Sequence, residues 1–218
     1  MKLRIKVLLG LFAVIGSMTA SVFSVNAVRT PLHDAVRGSN CERIKILCRQ
    51  HPEWLSEQDP SDGRLPIECT ERLDVLKVLV ENGADVNERR KNDGATALHK
   101  VRSYEILEYL VRNNGNVCAV DKVNNTPLHE WIMEFAQEDK IRLREAIDLL
   151  VRHGANINAR NRDGQTPLGR LKHLRESIEQ MLKKPLFADV NFSDEVRELP
   201  GKADKLMEYL QERYGAQF

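Results

Sequence analysis

The stretch Arg152–Leu168 reads RHGANINARNRDGQTPL and contains the end of one helix, a tight turn and the start of another helix. Gly154 lies where a helix C-terminus favours a left-handed residue, because glycine has no Cβ that would clash there. The pair Asp163-Gly164 is typical of tight turns. In Thr166-Pro167, threonine is a good N-cap and proline suits the first helical position, because its missing N–H has no intrahelical partner there. The stretch therefore predicts a junction between two helices.

The same signals recur along the chain. Helix-stop signals precede two further turns, at 82–87 and 114–117, and the helix-start signal occurs three more times, as Thr30-Pro31-Leu32-His33, Thr96-Ala97-Leu98-His99 and Thr126-Pro127-Leu128-His129. This pattern resembles the ankyrin repeat, a unit of about 33 residues whose first helix opens with Thr-Pro-Leu-His. The resemblance covers nearly everything after residue 28. It implies an all-α ankyrin-repeat solenoid of about five helix-turn-helix repeats, at 28–60, 61–91, 92–122, 123–161 and 162–218.

Repeats two to four depart from this pattern in length. In repeat two the start signal is replaced by Leu65-Pro66-Ile67-Glu68, which lacks the capping hydroxyl and the imidazole. Eight positions separate Leu65 from the predicted second helix at 73–81, against 11 in repeat one, and repeat three is shortened equally. Repeat four is longer, and its charged extra residues at 134–144 predict either extended helices or a solvated loop.

Repeat five is predicted to be split by a long insertion. A helix runs from Pro167 to Lys184, and an irregular segment follows at 185–200, whose aromatic residues cover the last repeat. Apolar residues then recur at i, i+3, i+4 and i+7 from Ala203 to Leu210, which indicates one face of a helix. Gly215 is the predicted stop of that helix.

The first 27 residues have the organisation of a secretory signal peptide. Three basic residues precede the apolar run 7–15, and Val25-Asn26-Ala27 fits the small-residue rule of a cleavage site. The alternative is an uncleaved membrane anchor, but the run 7–23 is shorter than the ~20 apolar residues that a span prefers. We expect an exported protein, with a bacterial style of signal, that is periplasmic or secreted and has no stable membrane insertion after cleavage.

Charge gives no indication of a nucleic-acid partner. The chain has 33 Lys+Arg and 32 Asp+Glu, a formal net charge of +1. Loss of Lys2, Arg4 and Lys6 with the signal peptide leaves 30 basic residues against 32 acidic ones, near −2. Such a balance lacks the basic footprint that nucleic-acid binding requires.

The four cysteines allow disulfides in an exported protein but do not require them. Cys41 and Cys48 lie seven positions apart on or beside one helix, about 10 Å along its axis and too far to bridge. A bond from Cys48 to Cys69, between adjacent repeats, is the only plausible pairing. The alternative is four small buried thiols, and no cysteine spacing indicates a zinc site.

Three histidines, His33, His99 and His129, each follow a threonine N-cap by three residues. The resemblance implies that each imidazole hydrogen-bonds near that threonine and its turn, a structural role. Successive histidines would lie about one repeat apart, roughly 10 Å, too far to share one metal ion. Since no catalytic motif appears either, we expect no enzyme activity, no metal and no cofactor.

Basic residues at the turn tips are the candidate binding residues. Because equivalent positions of successive repeats stack, these residues would form a row along one edge, which Asp93 and Asp163 interrupt. The members of the row are Arg89, Arg90, Lys91, Lys122, Arg160 and Arg162. The resemblance implies that turn tips and first helices line a concave groove, to which Lys100 and Trp131 would contribute. Trp131 replaces a usual alanine, so it either fills space opened by the insertion or is displayed. The alternative for the whole row is a solvated polar edge.

The sequence therefore predicts a monomeric, non-catalytic protein that binds a partner protein on its groove and turn tips, as a periplasmic adaptor. Two other uses of the same architecture stay open. One is an inhibitor or immunity-type protein that blocks a toxin or an enzyme, and the other is a secreted effector acting on a host protein.

Overall fold

A computed structural model describes residues 29–136, 140–183 and 194–218. The predicted signal peptide and the aromatic residues of the predicted insertion lie outside these ranges. Within them, no helix is both long and apolar enough to cross a bilayer.

Every regular element of the described ranges is helical, which confirms the all-α prediction. The α-helices in chain order are α1 (Pro31–Arg37), α2 (Cys41–Gln50), α3 (Leu73–Glu81), α4 (Ala97–Lys100), α5 (Tyr104–Arg112), α6 (Pro127–Ile132), α7 (Lys140–Arg152), α8 (Pro167–Lys183) and α9 (Asp194–Tyr214). Short 3-10 turns lie at Pro52–Leu55, Pro66–Glu68 and Met133–Ala136.

The helices stack in two layers. The inner layer runs from α1 through the 3-10 turn at 66–68 to α4, α6 and α8, and the outer layer runs from α2 through α3 and α5 to α7; each element contacts its equivalent in the next repeat. Each inner element buries one apolar residue at the same place: Leu32, Ile67, Leu98, Leu128 and Leu168. Burying a side chain of this size contributes about 1.5–3 kcal/mol, so stacking of the layers holds the solenoid together.

The predicted stop signals end their helices, although at one of them an asparagine takes the left-handed conformation in place of glycine. Gly154 has φ 97°, the left-handed conformation that ends α7. One repeat earlier that conformation is taken by Asn114, with φ 62°, and not by the next residue, Gly115. A Cβ on Gly115 would lie 2.7 Å from the carbonyl oxygen of Leu110, so the backbone passes too close there for a side chain.

Helix α9 corrects the prediction for the last insertion. The irregular segment was expected to continue to Pro200, but α9 begins at Asp194 and passes through that proline. Val196 is buried and Leu199 packs against the core, so apolar contacts offset the hydrogen bond that proline removes. Gly215, with φ 61°, ends α9 as predicted.

The C-terminal tail closes the last repeat by imitating a further one. The backbone N–H of Gln217 donates to Asn158 Oδ1 over 2.7 Å, as the N–H of Asn116 does to Asn87 Oδ1 at an internal junction. The Gln217 carbonyl accepts from the Thr166 hydroxyl. Gly169 stands where earlier start signals have histidine, and a Cβ there would lie 3.3 Å from the backbone of Phe218. The tail therefore occupies the space that an imidazole and another turn tip would need.

Candidate functional site

A buried histidine connects neighbouring repeats at three junctions. At His99, the N–H of Thr96 donates to Nδ1 over 3.2 Å, and Nε2 lies 3.1 Å from the carbonyl oxygen of Asn125 in the next repeat. Because Nδ1 accepts a hydrogen bond, Nε2 carries the proton and donates it to that carbonyl. His129 makes the same two contacts, with the N–H of Thr126 and the carbonyl oxygen of Gln165. Nδ1 of His33 instead lies 2.6 Å from the Thr30 hydroxyl, and its Nε2 lies 3.1 Å from the carbonyl oxygen of Arg64; all three side chains are fully buried. The predicted structural role is confirmed.

These histidines are held in the neutral form. Burial lowers the pKa of His33, His99 and His129 below the ordinary value of 6.5. A second proton would also have to sit on Nδ1, where it would displace the hydrogen bond from the threonine. The imidazoles therefore join repeats and offer no free nitrogen for chemistry.

Repeat two uses an ion pair at the equivalent place. Glu68 stands at the histidine position, and its Oε2 accepts from the N–H of Leu65 over 2.9 Å and from Arg90 Nε over 2.8 Å. The two side chains are only 2% and 10% exposed. A carboxylate has no proton to donate to the next repeat, so the next turn tip supplies the donor instead.

Arg90 occupies a turn position that is acidic or amide in the other repeats. Its N–H closes the tip on the carbonyl of Ala95, as those of Asp121 and Asn161 close theirs. Arg90 was predicted to bind a partner at the turn tips, but its side chain is only 10% exposed and pairs with Glu68. The sequence did contain a signal for this pairing. Repeat two has glutamate where the start signals of repeats one, three and four have histidine, and the next tip has arginine where the other tips have an acidic or amide residue.

Three of the predicted basic residues lie in one row, and the side chains of two of them are hydrogen-bonded to the tip before them. Lys122 Nζ donates to the carbonyl of Lys91 over 2.7 Å, and Arg162 Nη2 donates to the carbonyl of Lys122 over 2.5 Å. The backbone N–H of Lys122 also donates to the carbonyl of Asp93 over 2.8 Å. All three side chains remain exposed, and we call Lys91, Lys122 and Arg162 the tip row.

The other predicted cations flank the tip row. Arg89 is exposed and donates to the carbonyl of Val120 over 2.5 Å, and Arg160 donates to the carbonyl of Gly164 over 2.7 Å. Lys100, at the end of α4, is one-third exposed and lies 3.1 Å from a carboxylate oxygen of Asp93. That ion pair links the turn tips to the inner layer.

A cleft of about 450 Å³ opens beside the inner layer where repeats two and three meet. It lies where the first helix of repeat two is reduced to the 3-10 turn at 66–68 and that of repeat three to α4. The lining is apolar in part, from Ile67, Ala97, Val101, Ile106 and Leu110, and polar or charged elsewhere, from Arg64, Glu68, Cys69, Thr70, Glu71, Arg90, Lys100, Arg102 and Ser103.

Comparison with protein families agrees with this geometry. A family model described as ankyrin repeats, in three copies, matches residues 67–161. Residues 67–161 are therefore similar to ankyrin repeats. This segment includes all the apolar residues that line the cleft, the helices α3 to α7, and the tips that carry Lys91, Lys122 and Arg160. Ankyrin repeats generally mediate protein–protein interaction and are typically non-catalytic.

Helix α6 holds Trp131, which was predicted to contribute to the binding groove. Trp131 is only 3% exposed, and its indole Nε1 is buried without a hydrogen-bond partner. It therefore fills interior space, which was one of the two alternatives. The prediction that it is presented to a partner is wrong, because the side chain packs into the core beside α7.

The cysteines are all free thiols in the structure, so the possible Cys48–Cys69 disulfide is not formed and the alternative of free thiols holds. Burial raises the pKa of Cys69 to about 11, which makes this thiol a poor nucleophile. Only Cys48 is fully buried; Cys41 and Cys69 are half-buried and Cys118 is exposed, which corrects the expectation of four buried thiols. Among the described residues, no three or more His, Cys, Asp or Glu side chains are placed to hold a metal ion.

Proposed function

We propose that this protein is a non-catalytic binding module that is exported and acts as a periplasmic adaptor. Its partner protein contacts the tip row and the adjoining inner face. The observation that carries this proposal is the row itself, in which Lys91, Lys122 and Arg162 remain exposed while each tip is hydrogen-bonded to the next.

Rigidity supports a binding role. The tips are joined by main-chain hydrogen bonds, such as Arg162 N–H to the carbonyl of Val123 over 2.8 Å, as well as by the side chains of the row. A surface that is ordered before binding loses little conformational entropy when the partner arrives. The tips therefore present their charges in one arrangement.

The chemistry of the tips favours an acidic protein. Val120 and Val123 are exposed on either side of Lys122, so the row combines apolar and cationic groups. Protein interfaces combine apolar contact with charge complementarity, which speeds association and orients the partner. The balanced charge of the whole chain argues against nucleic acid as the partner.

Photo-crosslinking of the exported protein to its partner tests this proposal. A photoreactive amino acid replaces Val123 on the tips or, as the matched control, exposed Ile46 on α2 of the outer layer. We expect an adduct with one defined protein from position 123 and none from position 46. Equal adducts at both positions, or none at 123, would contradict a binding face at the tips.

Export is tested separately. N-terminal sequencing of the mature protein should begin near Val28, because Val25-Asn26-Ala27 fits a cleavage site. An intact Met1 would end the cleavage proposal. Sub-nanomolar affinity for a toxin or an enzyme would favour the inhibitor alternative, and accumulation outside the cell with an empty periplasm would favour the effector alternative.

A further inference from the structure

Two consecutive repeats lack most of their first helix, and the cleft results from that loss. Repeats two and three are each three residues shorter between the start signal and the second helix than repeat one, which is close to one helical turn. Two shortened repeats in succession leave an opening of about 450 Å³ that reaches Ile106 and Leu110 of α5.

Three cationic side chains lie at the rim of the cleft, each in an ion pair with a carboxylate. Arg64, Lys100 and Arg102 line it, with side chains that are 50%, 33% and 41% exposed. Their ion-pair partners, Asp62, Asp93 and Glu134, do not line the cleft, and the closest N–O distances are 3.5, 3.1 and 2.6 Å. Ion pairs this exposed contribute only about 0–1 kcal/mol, so carboxylates of a partner can share or replace them.

Within the lining itself, acidic residues offer fewer exposed charges than basic ones. Glu68 is 2% exposed and engaged by Arg90, so it acts within the wall. Glu71 is the exposed carboxylate among the lining residues, compared with three cations at the rim. A ligand entering the cleft therefore meets cations at the rim and apolar groups beneath them.

We propose that the cleft receives one large apolar side chain from an exposed segment of the partner, flanked in sequence by carboxylates. This inference rests on the proposed binding function and names the segment that the partner must contribute. The volume lies within the ~300–1,000 Å³ of small-molecule pockets, and an apolar anchor inside a polar rim is the usual form of a binding hot spot. The Lys100–Asp93 ion pair joins the cleft to the turn tips, so one partner can occupy both.

The probe is a fluorescently labelled peptide, Asp-Glu-Trp-Glu-Asp, titrated into the mature protein and followed by anisotropy. Two control peptides carry alanine in place of tryptophan or lysines in place of the acids. We expect both controls to bind at least ten-fold more weakly than the probe. Equal binding of the three peptides, or no binding of the probe, would overturn the inference.

Variants locate the binding. Val101→Trp should fill the cleft and weaken the probe at least ten-fold, while Ile46→Trp on the outer layer should leave the affinity unchanged. Circular dichroism checks the fold of each. The pair Arg64→Gln and Arg102→Gln removes rim charge without entering the core and should weaken the probe several-fold, so the test holds even if Val101→Trp does not fold. Probe binding that none of these cleft variants weakens would place the peptide elsewhere and overturn the inference.

The crosslinking result separates the two proposals. If Val123 captures a partner but the probe peptide fails, the binding face stands and the cleft assignment falls. If Val123 captures nothing, the proposed function fails, whatever the peptide does.

Discussion

The junction of repeats two and three and the junction of repeats three and four use different side chains to hydrogen-bond the N–H at a helix start and to contact the next repeat. In the first, the charged pair Glu68–Arg90 joins a helix start to the next turn tip. In the second, neutral His99 joins Thr96 to the carbonyl of Asn125. A helix start thus needs an acceptor for its N–H and a contact to the next repeat, and either an imidazole or a carboxylate–guanidinium pair supplies both.

Removing one half of the charged junction should have the largest effect on stability. Glu68→Ala leaves Arg90 largely buried with only a weaker contact to Asp93 at 3.4 Å. Breaking a buried ion pair from one side costs about 3–5 kcal/mol, and we expect about 3 kcal/mol from urea unfolding. The double variant Glu68→His with Arg90→Asp should recover most of that loss. A loss below about 1 kcal/mol, typical of exposed pairs, would contradict a structural pair.

Removing the neutral junction should cost less. His129→Ala leaves the N–H of Thr126 and the carbonyl of Gln165 without their partners, and no charge is stranded. We expect a loss of about 2 kcal/mol, in line with unsatisfied buried hydrogen-bonding groups. His153→Ala, at an exposed helix end, is the control and should change stability by less than about 0.5 kcal/mol.

The histidine junctions should also make stability depend on pH. The unfolded histidines titrate near 6.5, whereas the pKa of His33, His99 and His129 is lower in the folded protein. The unfolded chain therefore binds protons first, so this stability is complete above pH 6.5 and declines as the pH falls below it. Each histidine contributes a slope of up to about 1.4 kcal/mol per pH unit.

Unfolding in urea between pH 7.5 and pH 5 measures this slope. The carboxylates of buried Asp59 and half-buried Asp93 also have lowered pKa values, but their ordinary value is 3.8, so their protonation falls below this range. His129→Gln should reduce the slope by one histidine's contribution. An unchanged slope would mean that the imidazole is not held neutral by the fold.

The smallest effect on stability is expected at the residue next to Arg90. Arg89 is exposed and donates only to a backbone carbonyl, so Arg89→Gln should change stability by less than about 0.5 kcal/mol. The same substitution at Arg90 should cost several-fold more. Together with Arg160→Gln, Arg89→Gln should slow association with a captured acidic partner at low salt, because both charges lie on the tips. Equal stability losses at 89 and 90 would remove the distinction between surface and junction arginines.

Much of the fold could be predicted from short stretches of sequence. The predicted second helix of repeat two, 73–81, is the observed α3, and the glycines at 154 and 215 end their helices. The histidine role and the row of basic tips followed from the recurrence of one motif. The pairing of Glu68 with Arg90, the burial of Trp131 and the passage of α9 through Pro200 did not follow, because each depends on neighbours supplied by other parts of the chain.

By itself, the sequence determined where helices begin and end and how often the unit recurs, because capping, turn and periodicity signals act over a few residues. Only the tertiary structure decided which cations are exposed and which are sealed in junctions, and where two shortened helices leave a cleft. The reason is that burial and hydrogen-bond partners come from the adjacent repeat, some 30 residues away along the chain, as between His33 and Arg64.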